Sequence, residues 1–240
     1  SDWSSDVCSS DLKLGIIAAM KVEAEKIISS MTEKKTEEYG GVVYTSGKIG
    51  GNEVVCAVCG IGKVFAAMCA QIMAVVYKPE YIINSGIAGT LTHNLSIGDV
   101  AISTDAVQYD MDTSVMGDPV GMISGINIIK IPASRELGEK IASLAHEHGV
   151  KTYMGTIATG DRFIGDSETK QKISEMFGGI ACEMEGAAVA QVCYVNKIPF
   201  CIIRAISDSA DGEALDDYPA FAARSADISA DIAIKLAKEL

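Results

Sequence analysis

The densest chemistry in the chain lies in Arg204-Ala-Ile-Ser-Asp208, where the apolar run Phe200-Cys-Ile-Ile203 delivers a guanidinium, a hydroxyl and a carboxyl to its carboxyl end. Burying such groups is costly unless they are paired or put to work. An Asp in a dry pocket has its neutral form favoured, so Asp208 could donate a proton near neutral pH. The plainer reading is an ion pair that closes the strand. Glu183-Met-Glu-Gly186 stands at a strand-to-helix junction. A carboxylate there suits the helix dipole as a cap; two acids flanking a Met could equally hold the hydroxyls of a ribose, donors that suit a bidentate carboxylate. Glu23, in Met20-Lys-Val-Glu23, falls in the first turn of a helix, where a cap is again the plain reading. Asn84-Ser-Gly-Ile-Ala-Gly-Thr90 reads as a loop ending a strand. Its glycines either let the backbone approach a ligand or simply turn the chain.

Two further motifs are weaker. Gly60-Ile-Gly-Lys-Val-Phe-Ala-Ala67 sits between a strand and a helix like a dinucleotide fingerprint, but Phe65 replaces the third glycine. Glu80 also precedes the next strand, where a ribose-binding acid should end it. A tight turn explains the segment. Cys56 and Cys59 form a C-x-x-C pair inside a strand-like run, and His93, His146 and His148 offer no matching pair for a metal. Seven cysteines, most of them in apolar runs, read as buried small hydrophobes in a reducing compartment.

The elements that must position these groups follow from periodicity. Leu14–Ala19 predicts a buried strand and Val22–Met31 a helix. Val42–Gly47 and Val54–Cys59 alternate as strands around the turn Ile49-Gly-Gly-Asn52. Val64–Tyr77 has helical length and stops at Lys78-Pro79; it is too short for the ~20 residues of a membrane span. Tyr81–Asn84, Asp99–Ser103, Thr156–Thr159, Gly179–Cys182 and Phe200–Ala205 predict strands. Ser134–Glu147, with a Ser N-cap, and Glu185–Tyr194 and Ala220–Leu240 predict helices. This alternation predicts an α/β fold, a three-layer α/β/α single domain over residues 13–240. Tyr109–Ile131 has no sustained period, and a loop of that length points to function or an interface. Ser1–Leu12 repeats Ser-Ser-Asp, lacks the pattern of a signal peptide and reads as a non-native appendage.

The whole chain has 240 residues, 48% hydrophobic and 22% charged, an ordinary globular balance. Twenty Lys and Arg against 32 Asp and Glu leave a net charge of −12. Nucleic acid and anionic membrane are therefore poor partners.

Taken in order, Gly15-Ile-Ile-Ala-Ala-Met20 with Glu23, Gly60-Ile-Gly-Lys63, Asn84-Ser-Gly-Ile-Ala-Gly89, Thr159-Gly-Asp161 with Phe163-Ile164, Glu183-Met-Glu185 and Arg204-Ala-Ile-Ser-Asp208 closely resemble one family. It is the bacterial 5′-methylthioadenosine/S-adenosylhomocysteine nucleosidases, within the purine nucleoside phosphorylase-like superfamily, and the likeness runs from Lys13 to Leu240. The resemblance implies a central mixed, twisted sheet and hydrolysis of the bond between adenine and a 5′-thio-substituted ribose. Glu23 would activate the attacking water with help from Arg204, and Asp208, positioned by Ser207, would protonate N7 of the base. Glu185 would hold the ribose hydroxyls with Met184 against the sugar. Phe163 would stack on the base, and the Ile164 backbone would read its edge. Ile61, Ile87, Gly89 and Tyr218 complete the implied substrate-binding set.

The resemblance further implies no cofactor, no metal, a cytoplasmic location, a role in methionine salvage, and a homodimer in which Asp112–Met116 reaches the neighbouring site. Ile87 replaces a small polar residue of some relatives, and Tyr218 stands where many have Phe. A phosphate-dependent phosphorylase, or hydrolysis of futalosine or 5′-deoxyadenosine, stays open within the same fold. Phosphate would need several strong donors, and only Arg204 is a plausible inner cation. The rivals of other classes are a non-catalytic nucleoside-binding module and an NAD-dependent dehydrogenase.

Overall fold

The structure, a computed structural model, describes residues 12–208 and 218–240, with Leu12 and Tyr218 as backbone only. The expected appendage lies outside the described residues up to Asp11. Apolar runs become strands and amphipathic runs become helices, alternating from the start: β1 Leu12–Ala18, α1 Lys21–Ser30, β2 Thr32–Tyr39, β3 Val42–Ile49, β4 Asn52–Val58 and α2 Lys63–Ile72. There follow β5 Tyr81–Thr90, β6 Val100–Gln108, β7 Lys130–Pro132, α3 Arg135–Glu147, β8 Thr152–Thr159 and α4 Ser167–Phe177. β9 Gly179–Glu183, α5 Gly186–Asn196, β10 Phe200–Asp208 and α6 Tyr218–Glu239 complete the chain.

All ten strands join one mixed sheet in the order β10-β6-β8-β9-β5-β1-β4-β3-β2, with β7 on β6. β10 also pairs in parallel with β5, so β5, β10, β6, β8 and β9 close into a ring from which β1, β4, β3 and β2 extend. Closure removes an edge. It also gathers the ends of β5, β9 and β10. On one face α2 and α5 pack Ala66, Cys69, Ala70, Ala187 and Cys193 against the sheet. On the other, α1, α3 and α6 bring Ala24, Ile27, Leu137, Ile141, Ala230 and Ala233. The three-layer arrangement is as the alternation predicts.

Several elements differ from the sequence expectation. Asn84–Thr90 is no loop: its residues are buried and continue β5, because three strands, β1, β10 and β9, hydrogen-bond to it. The helix expected over Val64–Tyr77 is α-helical to Ile72, then widens into a π-helical turn, Met73–Tyr77, closed by Lys78 in the left-handed region at φ 51°. β2 and α4 were not anticipated. β2 reads Thr-Glu-Lys-Lys-Thr-Glu-Glu-Tyr and is an exposed edge strand guarded by charge. The long Tyr109–Ile131 segment contains a 3₁₀ turn at Ser114–Met116, a bridge between Ile123 and Ile128, and the start of β7. All the cysteines among the described residues are buried and unpaired, including Cys56 and Cys59. Burial pushes the Cys56 thiol up to about 12, which suits a core residue. Among the described residues no helix is long and apolar enough to cross a membrane.

Candidate active site

A cleft opens where β1, β5, β9 and β10 end, the usual position for a ligand in an open α/β sheet. Its walls carry Glu23, Ile61, Ile87, Gly89, Phe163, Met184, Glu185, Ser207 and Asp208, drawn from across the sequence. Ile61 and Phe163 stand at the mouth, each about half exposed. Two further members of the implied set have buried side chains. Ile164 is buried in a core cluster with Ile173, Phe177 and Cys182, so its side chain serves packing. Arg204 is only 2% exposed, and its guanidinium shares the space around Gly86 with the Glu23 carboxyl. The side chain of Tyr218 lies outside the described residues.

Glu23 follows β1 by the first turn of α1. One carboxylate oxygen accepts the N–H groups of Ala19 (3.0 Å) and Met20 (2.8 Å), and the other accepts that of Ile87 at 3.1 Å. It therefore does cap the helix, and it also faces the cleft. Burial raises its pKa above the ordinary carboxylate value, against the pull of Arg204 and the three N–H donors. A raised value suits a general base, because it moves the group toward operating pH.

Asp208 ends β10. The pairing of β10 with β5 slips by one residue between Ile206 and Asp208, which re-aims the last side chain so that Asp208 stands opposite Gly89. Ser207 Oγ lies 3.2 Å from one carboxyl oxygen. The other oxygen accepts from Lys170 Nζ at 2.6 Å. Lys170 was missed by sequence reading because α4 was missed.

Two glycines of β5 make room for the two acids. A methyl group on Gly86 would lie 2.6 Å from a carboxyl oxygen of Glu23 and 3.0 Å from Arg204 Nη1. One on Gly89 would lie 2.7 Å from a carboxyl oxygen of Asp208. Gly89→Ala is therefore expected to displace the Asp208 carboxyl and lower kcat by about 10²-fold, the scale of a misplaced catalytic group. Steady-state kinetics beside a thermal melt checks it; unchanged kcat would mean the carboxyl is not needed where it sits.

The paired glutamates divide their labour. Glu183 accepts the N–H groups of Glu185 (3.0 Å) and Gly186 (2.7 Å) at the start of α5, takes a hydrogen bond from Thr159 and pairs with Arg204. It is the anchor. Glu185 accepts the Gly62 N–H at 2.8 Å and lies 3.9 Å from Arg204. Burial, reinforced by the charge of Glu183, pushes Glu185 up to about 7. For Arg204, burial works against the charge, but Glu183, Glu185 and Glu23 outweigh it and hold its pKa above the ordinary value. It also hydrogen-bonds the Asn84 side chain. Arg204 is thus a buried hub held by Glu183 and Asn84, with Glu185 within ion-pair distance.

The fingerprint-like turn is spoken for. Gly62 N–H goes to Glu185, and Lys63 N–H goes to Asp161 at 2.8 Å, so carboxylates occupy the amides that a pyrophosphate would use. Among the described residues no group of His, Cys, Asp and Glu is arranged to hold a metal.

The chain matches the sequence profile of the phosphorylase superfamily over residues 13–238. It is 37% identical to a 5′-methylthioadenosine/S-adenosylhomocysteine nucleosidase of Shewanella loihica, covering 95% of this chain and all of that one. The chain belongs to this nucleosidase family. An aminodeoxyfutalosine nucleosidase of Campylobacter jejuni is 36% identical over the same share of the chain and all of its own. Among solved structures, the Neisseria meningitidis family member in complex with methylthio-immucillin-A superposes with a TM-score of 0.90 at 33% identity, covering 95% of this chain and 99% of that one. A Helicobacter pylori mutant with 5′-methylthioadenosine in its active site gives 0.91, also at 33% identity and with the same coverage. The family's fold is thus reproduced along nearly the whole chain.

Proposed function

We propose that this chain hydrolyses the N-glycosidic bond of 5′-methylthioadenosine and S-adenosylhomocysteine, releasing adenine and the thioribose. The observation that carries the reading is that Glu23 and Asp208 line one cleft together with Glu185, Met184 and Phe163. Cleavage builds positive charge on the sugar and negative charge on the departing base. A carboxylate beside the sugar opposes the first, and a proton donor at the base relieves the second. The division of labour is that of the two carboxylates of O-glycosidases. Glu23 takes a proton from water, Asp208 gives one to N7, and Glu185 accepts the ribose hydroxyls.

Water as nucleophile is supported by the cations near the cleft: Arg204 is paired with Glu183 and Lys170 with Asp208. An adenine-release assay across 5′-thionucleosides, with and without phosphate, tests the reading. Free 5-methylthioribose in both conditions is expected; a sugar phosphate would make the enzyme a phosphorylase. Futalosine-type substrates belong in the same panel, given the Campylobacter relative. Adenine and thioribose as products fit methionine salvage, and unpaired buried cysteines fit a reducing cytoplasm.

Glu185 sets a pH dependence. Its carboxylate is the form that accepts two hydroxyls, and burial beside Glu183 pushes its pKa up to about 7. Binding of a non-hydrolysable 5′-thioadenosine analogue is therefore expected to weaken as pH falls through about 7. In Glu185→Gln, binding is weaker throughout and this dependence is lost. Calorimetry at several pH values checks it. The raised value also means that the folded chain keeps a proton which the unfolded chain releases, so this group's contribution to stability declines as pH rises from the ordinary carboxylate range to about 7.

The reading includes a homodimer. Val115 is 98% and Met116 73% exposed, and Val64, Phe65 and Met68 form an exposed apolar group on α2. Apolar groups grouped in this way mark an interaction surface. Light scattering at micromolar protein is expected to give twice the chain mass, and a monomer there would count against the assignment.

A further inference from the structure

Lys170 sits on the face of α4 that carries Ile173 and Phe177 into the core, and it is 2% exposed. Burying an ammonium is unfavourable unless it is paired, and a packed apolar residue usually serves stability as well or better. A lysine here therefore points to use. Its Nζ lies 2.6 Å from Asp208 Oδ2, while Ser207 Oγ lies 3.2 Å from Oδ1. In this arrangement both oxygens of Asp208 accept hydrogen bonds.

We propose that Lys170 is the positioning residue and proton reservoir of Asp208. The inference rests on the reading of Asp208 as general acid. On substrate binding an Nζ–H bond breaks and an O–H bond forms on Asp208, leaving a neutral amine beside a neutral carboxylic acid. As the glycosidic bond breaks, its electron pair leaves with the base. The Asp208 proton then passes to N7 and restores the carboxylate. The amine is recharged from solvent, balancing the proton that the attacking water leaves on Glu23. Lysine suits this task because an ammonium is a titratable donor, whereas a guanidinium keeps its proton. The other titratable groups facing the pair among the described residues are on β9. Burial pushes the Cys182 thiol up to about 12, so it stays protonated, and Glu183 is engaged by Arg204.

The test is the ratio of variant to wild-type kcat/KM for adenine release, followed from about pH 5.5 to about pH 8 in Lys170→Met and Lys170→Arg. Where solvent supplies protons freely the loss should be a few-fold, growing to about 10²-fold at the alkaline end, the scale of one proton-transfer partner. The arginine variant keeps the charge, so the proposal requires it to show the same pH-dependent loss. Near-wild-type ratios for Lys170→Arg across the range would show that charge alone suffices and overturn the proposal. A loss of equal size at every pH, in either variant, would assign Lys170 a structural role and overturn it as well. Wild-type protein that releases no adenine would instead remove the functional reading, and the proposal with it.

Discussion

Asp208→Asn is expected to lose kcat by at least about 10²–10⁴-fold, the range for removal of a proton-transfer partner. The asparagine keeps the shape of the side chain and can still accept from Lys170 through its one carbonyl oxygen, so the site should stay assembled. It has no acidic proton to pass on, so the base would have to depart as an anion. Binding of a 5′-thioadenosine ligand should persist, since Phe163, Met184 and Glu185 are untouched. Stopped turnover with retained binding is the signature sought, measured by adenine release and calorimetry on the same preparation. Near-normal kcat would remove the acid assignment.

Glu23→Gln should produce a loss of similar size for a different reason. The amide cannot take a proton from water, so attack on the sugar carbon loses its base. Structurally the change is mild. Glutamine has one acceptor oxygen, which can serve Ala19 and Met20, and the Ile87 N–H then loses its partner, a net change of about 1 kcal/mol. A small shift in Tm beside a large fall in kcat separates chemistry from folding. The two variants also fail at different ends of the substrate. Substrates whose base departs readily without protonation should lessen the defect of Asp208→Asn and leave that of Glu23→Gln in place.

The alternation of apolar strands with amphipathic helices was readable because burial imposes period two or three to four on the sequence. Ser134 as N-cap is a local signal, and it placed the start of α3 correctly. What escaped was set by partners distant in sequence. Asn84–Thr90 has the glycines of a loop, yet strand pairing on both sides and the need to admit two carboxyl groups make those glycines part of β5. β2 carries charge on both faces and buries little, so no apolar pattern announced it.

Within the site, the residue types at the ends of β1, β9 and β10 were legible because carboxylates and an arginine are conspicuous beside apolar runs. The specific division between Glu183 as anchor and Glu185 as cleft acid was not, since both occupy the same junction. Arg204 reads from the sequence as an inner cation, but the three buried acids that surround it come from elements distant in the chain. Lys170 did leave a trace. It precedes Ile173 and Phe177 at helical spacing, on a face where an apolar residue would be expected.

The central claim is that two separated carboxyl groups act on one nucleoside from opposite ends. A crystal structure with a non-hydrolysable 5′-methylthioadenosine analogue tests it most directly. The account predicts the Asp208 carboxyl about 3 Å from N7 and Glu23 at similar distance from a water beside the sugar carbon, the reach that proton transfer requires. Either carboxyl turned into bulk solvent, away from the ligand, would contradict it.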